Sequence, residues 1–361
     1  SNIKHIPGLD HLRAFAALLI IFYHGLHILS FLPRTGPGQD ITQFWISTLN
    51  PFTALIEEGH TAVALFMVLS GFVFEMGAFG KEVLYWSYIK NRFLRIYPLF
   101  IVMLVVGLAA NPNLYSLSAV VQSLTFQASF PGAVNADPFT LMFWAVAVEF
   151  QFYLIFPFLH RFIEKDGIKW ALGLIAIIFR YFAYLGGANP RDISYWHITG
   201  RIDQFIIGMI FARWYRSRSN TPSKAPFFIG ALILTLATIV GFNQLGGYPA
   251  VAAWKLFWPT IEGTIWAIFL VAYLPIGSLL PKIISSPLIF IGTLSYSMYL
   301  LHFIFLRRFT TIIPYRFPAN LDLHSQLYTG IIILPALIAV SALSYYVIER
   351  PFLNMRVRYL K

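Results

Sequence analysis

Long apolar runs fix what this chain can become. Ten stretches, 12–32, 60–80, 92–110, 141–161, 168–186, 200–215, 226–243, 256–275, 288–310 and 327–348, approach the ~20 apolar residues that a helix needs to cross a hydrocarbon core. In lipid every backbone N–H and C=O must be satisfied within the segment, which a helix achieves alone. The pattern predicts an all-α fold, a polytopic transmembrane helix bundle of about ten spans. Charged residues make up 11% of the chain and mean hydropathy is +0.69, against about 25% charged in a soluble domain. No separate soluble domain is expected, so 1–361 reads as a single integral membrane domain. The stretch 114–130 is apolar but short, bracketed by Pro112 and Pro131; it reads as a re-entrant or interfacial segment. The first run lacks a small-residue cleavage site and reads as a span rather than a removed signal. The loop 214–226 is the best hinge between two bundles.

Lys and Arg set the orientation, because they collect in cytoplasmic connections. With ten spans, eighteen of the 26 fall on the side of the N-terminus, seven on the other, and Arg180 within a span. Both termini are therefore expected in the cytoplasm. The same bias accounts for the net charge of +11, so nucleic acid is not an expected partner; the lipid bilayer is. The absence of cysteine excludes disulfides, thiolate metal sites and a cysteine nucleophile, and no metal site is expected.

Depth then singles out a few polar residues. His24 lies on the first apolar run, eleven residues after Arg13 and on the same helical face, about 16 Å further along the axis. A titratable group on such a run is costly and marks a functional site by default. His24, Glu149 of the fourth span and His302 of the ninth each sit about eight residues, roughly 12 Å, below the outer end of their helix. Tyr153 follows Glu149 by four, and Ser295, Tyr299 and His302 share a face at i, i+4, i+7. One shared cavity is the economical reading. An imidazole beside a carboxylate is a general base in the making, the carboxylate fixing its tautomer, so His24 and Glu149 are the expected catalytic pair. Tyr153, Tyr299 and His302 are weaker candidates for positioning, and His60, at the outer mouth of the second span, for touching substrate. On the cytoplasmic side, Arg92 and Arg95 open the third span at i, i+3, a spacing that suits phosphate recognition. Asp10 reads as a helix cap that also holds Arg13, Asp203 as the partner of Arg201, and Glu349-Arg350 as the end of the last span.

These segments together resemble the acyltransferase-3 family of membrane acyltransferases. The matching stretches are Gly8-Leu9-Asp10 through Arg13 to His24, Gly59 through Phe72, Arg92-Phe93-Leu94-Arg95-Ile96-Tyr97-Pro98, Trp144 through Glu149 to Tyr153, Ser295-Tyr296-Ser297 through His302, and Glu349-Arg350-Pro351-Phe352. Ala64 stands where many members carry an acidic residue. The resemblance implies transfer of an acyl group, usually acetyl from acetyl-coenzyme A, to a hydroxyl of a glycan or glycoside. It implies that Arg13, Arg92 and Arg95 hold the nucleotide end of the coenzyme, and that His24 and Glu149 serve the chemistry. Direct transfer and an acetyl-histidine intermediate both remain open. A stand-alone member in a bacterial inner (plasma) membrane is implied, because the chain stops about a dozen residues after Ile348 with no fused esterase-like domain. The rival reading is a proton-coupled transporter or flippase, where intramembrane His and Glu are equally at home; no inverted repeat supports it.

Overall fold

The computed structural model describes residues 5–31, 45–130, 138–163, 166–217, 224–312 and 322–361. They form fifteen α-helices in the order α1 (Pro7–Leu26, continued by a π turn His27–Phe31), α2 (Pro51–Glu57), α3 (Ala62–Ala78), α4 (Tyr85–Ala110), α5 (Leu117–Leu124), α6 (Phe143–Ile163), α7 (Asp166–Leu185), α8 (Pro190–Tyr195), α9 (Ile198–Ser217), α10 (Lys224–Gln244), α11 (Trp258–Gly277), α12 (Lys282–Ile312), α13 (Asp322–Tyr328), α14 (Leu334–Ser344) and α15 (Arg350–Leu353). Strand pairing among the described residues is limited to an isolated bridge, Val83 with Leu360, which ties the C-terminal end to the α3–α4 turn.

The all-α polytopic bundle forms as the apolar runs require. Among the described residues eight helical stretches are long and apolar enough to cross a membrane: α1, α3, α4, α6, α10, α11, α12 and the continuous run from α13 to α15. The other two expected spans are also helices, but differ in kind. In α7 the apolar part among the described residues is Ala171–Leu185, and α9 is too polar to qualify. The stretch 114–130 holds only the eight-residue α5 and a short 3-10 turn, too short to span. The Arg92–Arg95 motif does not open its helix: α4 begins at Tyr85, two turns earlier. Part of the expected hinge, residues 218–223, lies outside the described residues.

The polarity of α9 has a packing reason. It sits against α3, α6, α7 and α11 in the middle of the bundle, and its polar side chains are buried with partners. Asp203 accepts from Arg180 of α7 at 2.8 Å and from Thr260 of α11 at 2.5 Å, while Arg180 also reaches the Gly200 carbonyl. The expected Asp203–Arg201 pair is therefore not formed. Arg201 bonds Gln204 and the Tyr195 carbonyl and lies 3.9 Å from Glu262. A buried guanidinium needs such compensation, and here it fastens three helices.

Close backbone approach sets the α3–α9 and α1–α12 contacts. A Cβ on Gly71 would collide with the Phe205 carbonyl, one on Gly208 with the Val68 carbonyl, and one on Gly292 with the Asp10 carbonyl. Small residues let helices meet backbone to backbone where lipid offers no hydrophobic drive. Gly71→Val is accordingly expected to destabilise the bundle by about 1–3 kcal/mol or more through overpacking. Thermal unfolding in detergent reads this as a lowered midpoint; an unchanged midpoint would show that α3 and α9 are not packed this tightly.

Candidate active site

Helices α1 and α12 lie side by side and run the same way, since Gly292 abuts the Asp10 backbone and His302 bonds His24. The fourteen-residue step from Asp10 to His24 rises about 21 Å. Along it lies a cavity of about 370 Å³ walled by α1, α3, α4, α6 and α12, with Leu353 and Arg356 from the C-terminal end. It begins at the level of Asp10 and Gly292 and reaches Tyr299, three residues short of His302.

Four arginines line this cavity: Arg13, Arg92, Arg95 and Arg356. Two are neutralised. Arg13 donates to Asp10 at 2.7 Å and Arg95 to Glu349 at 3.0 Å, the latter carboxylate also held by Ser297. Asp10 thus holds the Arg13 guanidinium as expected, but it does not cap α1, whose N-cap is Ile6. Arg92 lies over the rings of Phe74 (4.7 Å) and Tyr153 (5.7 Å), with its Nε buried and without a hydrogen-bond partner. Among the described residues neither Arg92 nor Arg356 has a carboxylate within ion-pair distance. Burial first, then the like charges of Arg92 and Arg95, pull the Arg356 guanidinium below its usual value. Crowded guanidiniums in a partly desolvated cavity call for a polyanion, and the planar fork of Arg suits phosphate. Arg356 is a residue that sequence reasoning missed; in the sequence it is one more positive charge in a cytoplasmic tail.

Further along the cavity the lining mixes apolar side chains, Val63, Phe66, Met67 and Val146 among them, with Ser70, Ser295, Tyr299 and the carboxyl of Glu149. Glu149 accepts from Ser70 Oγ at 2.7 Å and from the Tyr153 hydroxyl at 2.5 Å. The Tyr299 hydroxyl is buried with no hydrogen-bond partner among the described residues, which leaves it able to donate to a group inside the cavity. Beyond Tyr299 stands the imidazole pair. His24 Nδ1 and His302 Nε2 are 2.8 Å apart, with the rings 5.0 Å centre to centre. The expected hydrogen bond between His24 and Glu149 is not formed among the described residues; His302 takes the place beside His24.

The tautomers of the pair follow from its partners. His302 Nδ1 faces two carbonyls, Tyr299 at 2.7 Å and Met298 at 3.2 Å. A carbonyl only accepts, so Nδ1 of His302 carries the proton and its Nε2 is a lone pair. That lone pair accepts from His24 Nδ1–H, which leaves His24 Nε2 unprotonated. The backbone of α12 thereby orients His24 as a base through one intervening imidazole. His302 is fully buried, whereas His24 stays partly exposed.

His60 stands apart from the cavity. It is buried, 3.1 Å from Glu58 Oε2, with its ring edge-on to Tyr23. Among the described residues no group of His, Asp and Glu is arranged to hold a metal ion.

Sequence comparison shows the family. The family model for an acyltransferase domain, acyltransferase-3, matches residues 6–350, and the chain belongs to that family. It is 26% identical to the acyltransferase MdmB of Streptomyces mycarofaciens over 85% of this chain and 80% of that protein. It is 27% identical to the O-acetyltransferase OatA of Staphylococcus aureus (strain NCTC 8325 / PS 47), over 83% of this chain and 50% of OatA. With the Staphylococcus aureus (strain COL) protein named "Putative O-acetyltransferase SACOL0978" it shares 25% identity over 99% of its own length and 60% of that protein. The chain thus spans between half and three-fifths of the length of these staphylococcal relatives. No solved structure matches it. The chain is a multi-pass integral membrane member of the acyltransferase-3 family.

Proposed function

We propose that this acyltransferase moves an acetyl group, or another short acyl group, from cytoplasmic acyl-coenzyme A to a hydroxyl of a glycan or glycoside. The observation that carries this reading is the His302–His24 pair, which leaves an oriented imidazole lone pair one helical turn beyond an arginine-lined cavity. The excess of Lys and Arg on the N-terminal side supports placing the arginine end in the cytoplasm, where acyl-coenzyme A is available. The bacterial relatives support a bacterial plasma (inner) membrane. The donor set fits coenzyme A: two guanidiniums without carboxylates and one orphaned Nε await an anion with several phosphate oxygens.

In this reading Arg92, Arg95, Arg356 and Arg13 receive the phosphates, and the pantetheine arm follows the cavity past Ser70, Glu149 and Tyr153. His24 Nε2 takes the proton of the acceptor hydroxyl as its oxygen attacks the thioester carbonyl carbon. The Tyr299 hydroxyl donates to the oxyanion. Collapse breaks the carbon–sulfur bond, and the proton on Nε2 passes to the departing thiolate, giving the ester and free coenzyme A. Glu149 acts on the cavity wall through Tyr153 and Ser70, in place of the partnership with His24 that the sequence led us to expect.

Release of free thiol from acetyl-coenzyme A by the purified chain, stimulated by a glycan acceptor, tests the reading. A transporter would move substrate without thiol release, and that result would overturn the proposal. Arg92→Ala combined with Arg356→Ala is expected to raise KM for acetyl-coenzyme A by roughly a hundredfold, the loss of two charge-assisted contacts at about 1.5 kcal/mol each, with kcat little changed. Unchanged KM would reassign both residues to membrane topology.

A further inference from the structure

Asn91 is fully buried on a face of α4 otherwise formed by Tyr88, Ile89, Ile96, Leu99 and Phe100. Asparagine is a poor helix former and a costly group to bury, so its carboxamide needs partners outside the helix. It finds both on one residue, 266 positions away in the chain. Asn91 Nδ2 donates to the Val357 carbonyl at 2.7 Å, and Oδ1 accepts from the Val357 N–H at 2.9 Å. The same segment is pinned again at the turn between α3 and α4. There the Leu84 N–H donates to the Tyr359 carbonyl at 2.9 Å, and Glu82 and Lys361 exchange two backbone hydrogen bonds, at 3.1 and 3.3 Å.

This clamp sets where two groups of the arginine cluster stand. Arg356 immediately precedes Val357, and its side chain is exposed where it lines the cavity. Its Nε donates to the Leu353 carbonyl at 2.9 Å, which turns the guanidinium but leaves its terminal amines without a hydrogen-bond partner among the described residues. An exposed arginine has a long, flexible stem, so its charge is only as well placed as the backbone that bears it. In extended chain a slip of one residue moves a side chain by about 3.3 Å and turns it to the opposite face. A carboxamide that grips both backbone groups of the next residue removes that freedom. Tyr359 depends on the same register. Its buried ring lies 5.3 Å from that of Tyr88 and 6.0 Å from the Arg92 guanidinium, so it completes the aromatic enclosure of Arg92. Asn91 itself does not line the cavity.

We infer that Asn91 is a positioning residue for donor binding: by gripping the Val357 backbone it fixes the register in which Arg356 faces the cavity and Tyr359 walls Arg92. The inference rests on the acyl-coenzyme A donor proposed above. It makes the phosphate site a joint product of two distant parts of the chain, held together by one carboxamide.

The full chain in detergent micelles, with coenzyme A as the probe, tests it. Asn91→Ala suits the purpose, because alanine favours helix and leaves α4 able to form. The Kd for coenzyme A, from calorimetric titration, is expected to rise about tenfold, as for the loss of one charge-assisted contact, with kcat within about twofold of the parent. Hydrogen exchange at the Val357 amide, read from peptides spanning 354–361, is expected to quicken at least about tenfold, since that N–H loses its acceptor. In an Arg356→Ala background the same substitution is expected to add less than about threefold, because its chief target is gone. Leu84→Pro is an independent variant: it removes the N–H that holds Tyr359, at a φ of −74° that proline adopts, and is expected to weaken coenzyme A about threefold. Unchanged exchange, faster exchange with unchanged coenzyme A affinity, full additivity with Arg356→Ala, or a joint fall of kcat, affinity and melting midpoint would reduce Asn91 to packing and overturn the inference. The two readings fail separately. A parent chain that binds no coenzyme A removes the proposed donor; a parent that binds it, with an Asn91→Ala chain that binds it equally well, removes only the clamp.

Discussion

His24→Ala is expected to lower acyl transfer by at least about a thousandfold while leaving acetyl-coenzyme A affinity within about twofold. A positioned general base supplies roughly 10²–10⁴ in rate, and the tautomer chain through His302 makes His24 Nε2 a lone pair aimed by hydrogen bonds. Alanine removes the base and its orientation together, and His302 cannot take its place, being fully buried with its Nδ1 committed to two carbonyls. His24 makes no contact with the arginines at the other end of the cavity, so donor binding should survive. Thiol release by purified, folded protein measures the first quantity and calorimetric titration with coenzyme A the second. Turnover retained within tenfold would remove His24 from the chemistry.

His302→Leu is expected to cut kcat by about a hundredfold with KM for acetyl-coenzyme A unchanged. His302 touches no reacting atom in this arrangement; it holds the proton on Nδ1 of His24 and so keeps Nε2 free. Without an acceptor beside it, His24 can place its proton on Nε2, and the productive tautomer loses its advantage. Loss of an orienting group in this way is costly in hydrolytic triads. His302→Gln, whose amide oxygen can accept from Nδ1–H, is expected to recover most of the loss. A merely structural role would move KM, kcat and the melting midpoint together, and glutamine would rescue no better than leucine. That pattern would show His302 to be packing alone.

The sequence made the helices legible because lipid leaves few alternatives: each apolar run either spans or stays short, and the run 114–130 holds one short helix that starts at Leu117 and stops at Leu124. Polar residues were harder. Depth counting set His24, Glu149 and His302 at one level, but Glu149 lies deeper: Gly59 packs on Tyr23 beside His24, whereas Glu149 bonds Ser70, eleven residues further along the second span and about 16 Å nearer the arginines. Glu149 turned toward Ser70 and Tyr153 on the cavity, and His302 toward His24. Asp203 was likewise misread: it took Arg180 from α7 in place of its near neighbour Arg201. Arg356 was hidden for another reason: a tail residue joins Arg92 and Arg95 only because the bridge between Val83 and Leu360 folds the C-terminal end under α4. The polar helix α9 was legible as a helix but not as the centre of the bundle, since its low hydropathy reflects partners supplied by four other elements.

A density map of the full chain with coenzyme A bound addresses the central claim most directly. The expected result is phosphate density on Arg92, Arg95 and Arg356, with the pantetheine arm lying along the cavity and its sulfur within reach of His24 Nε2. Phosphates seated elsewhere, or an arm that ends walled off from His24, would contradict the mechanism.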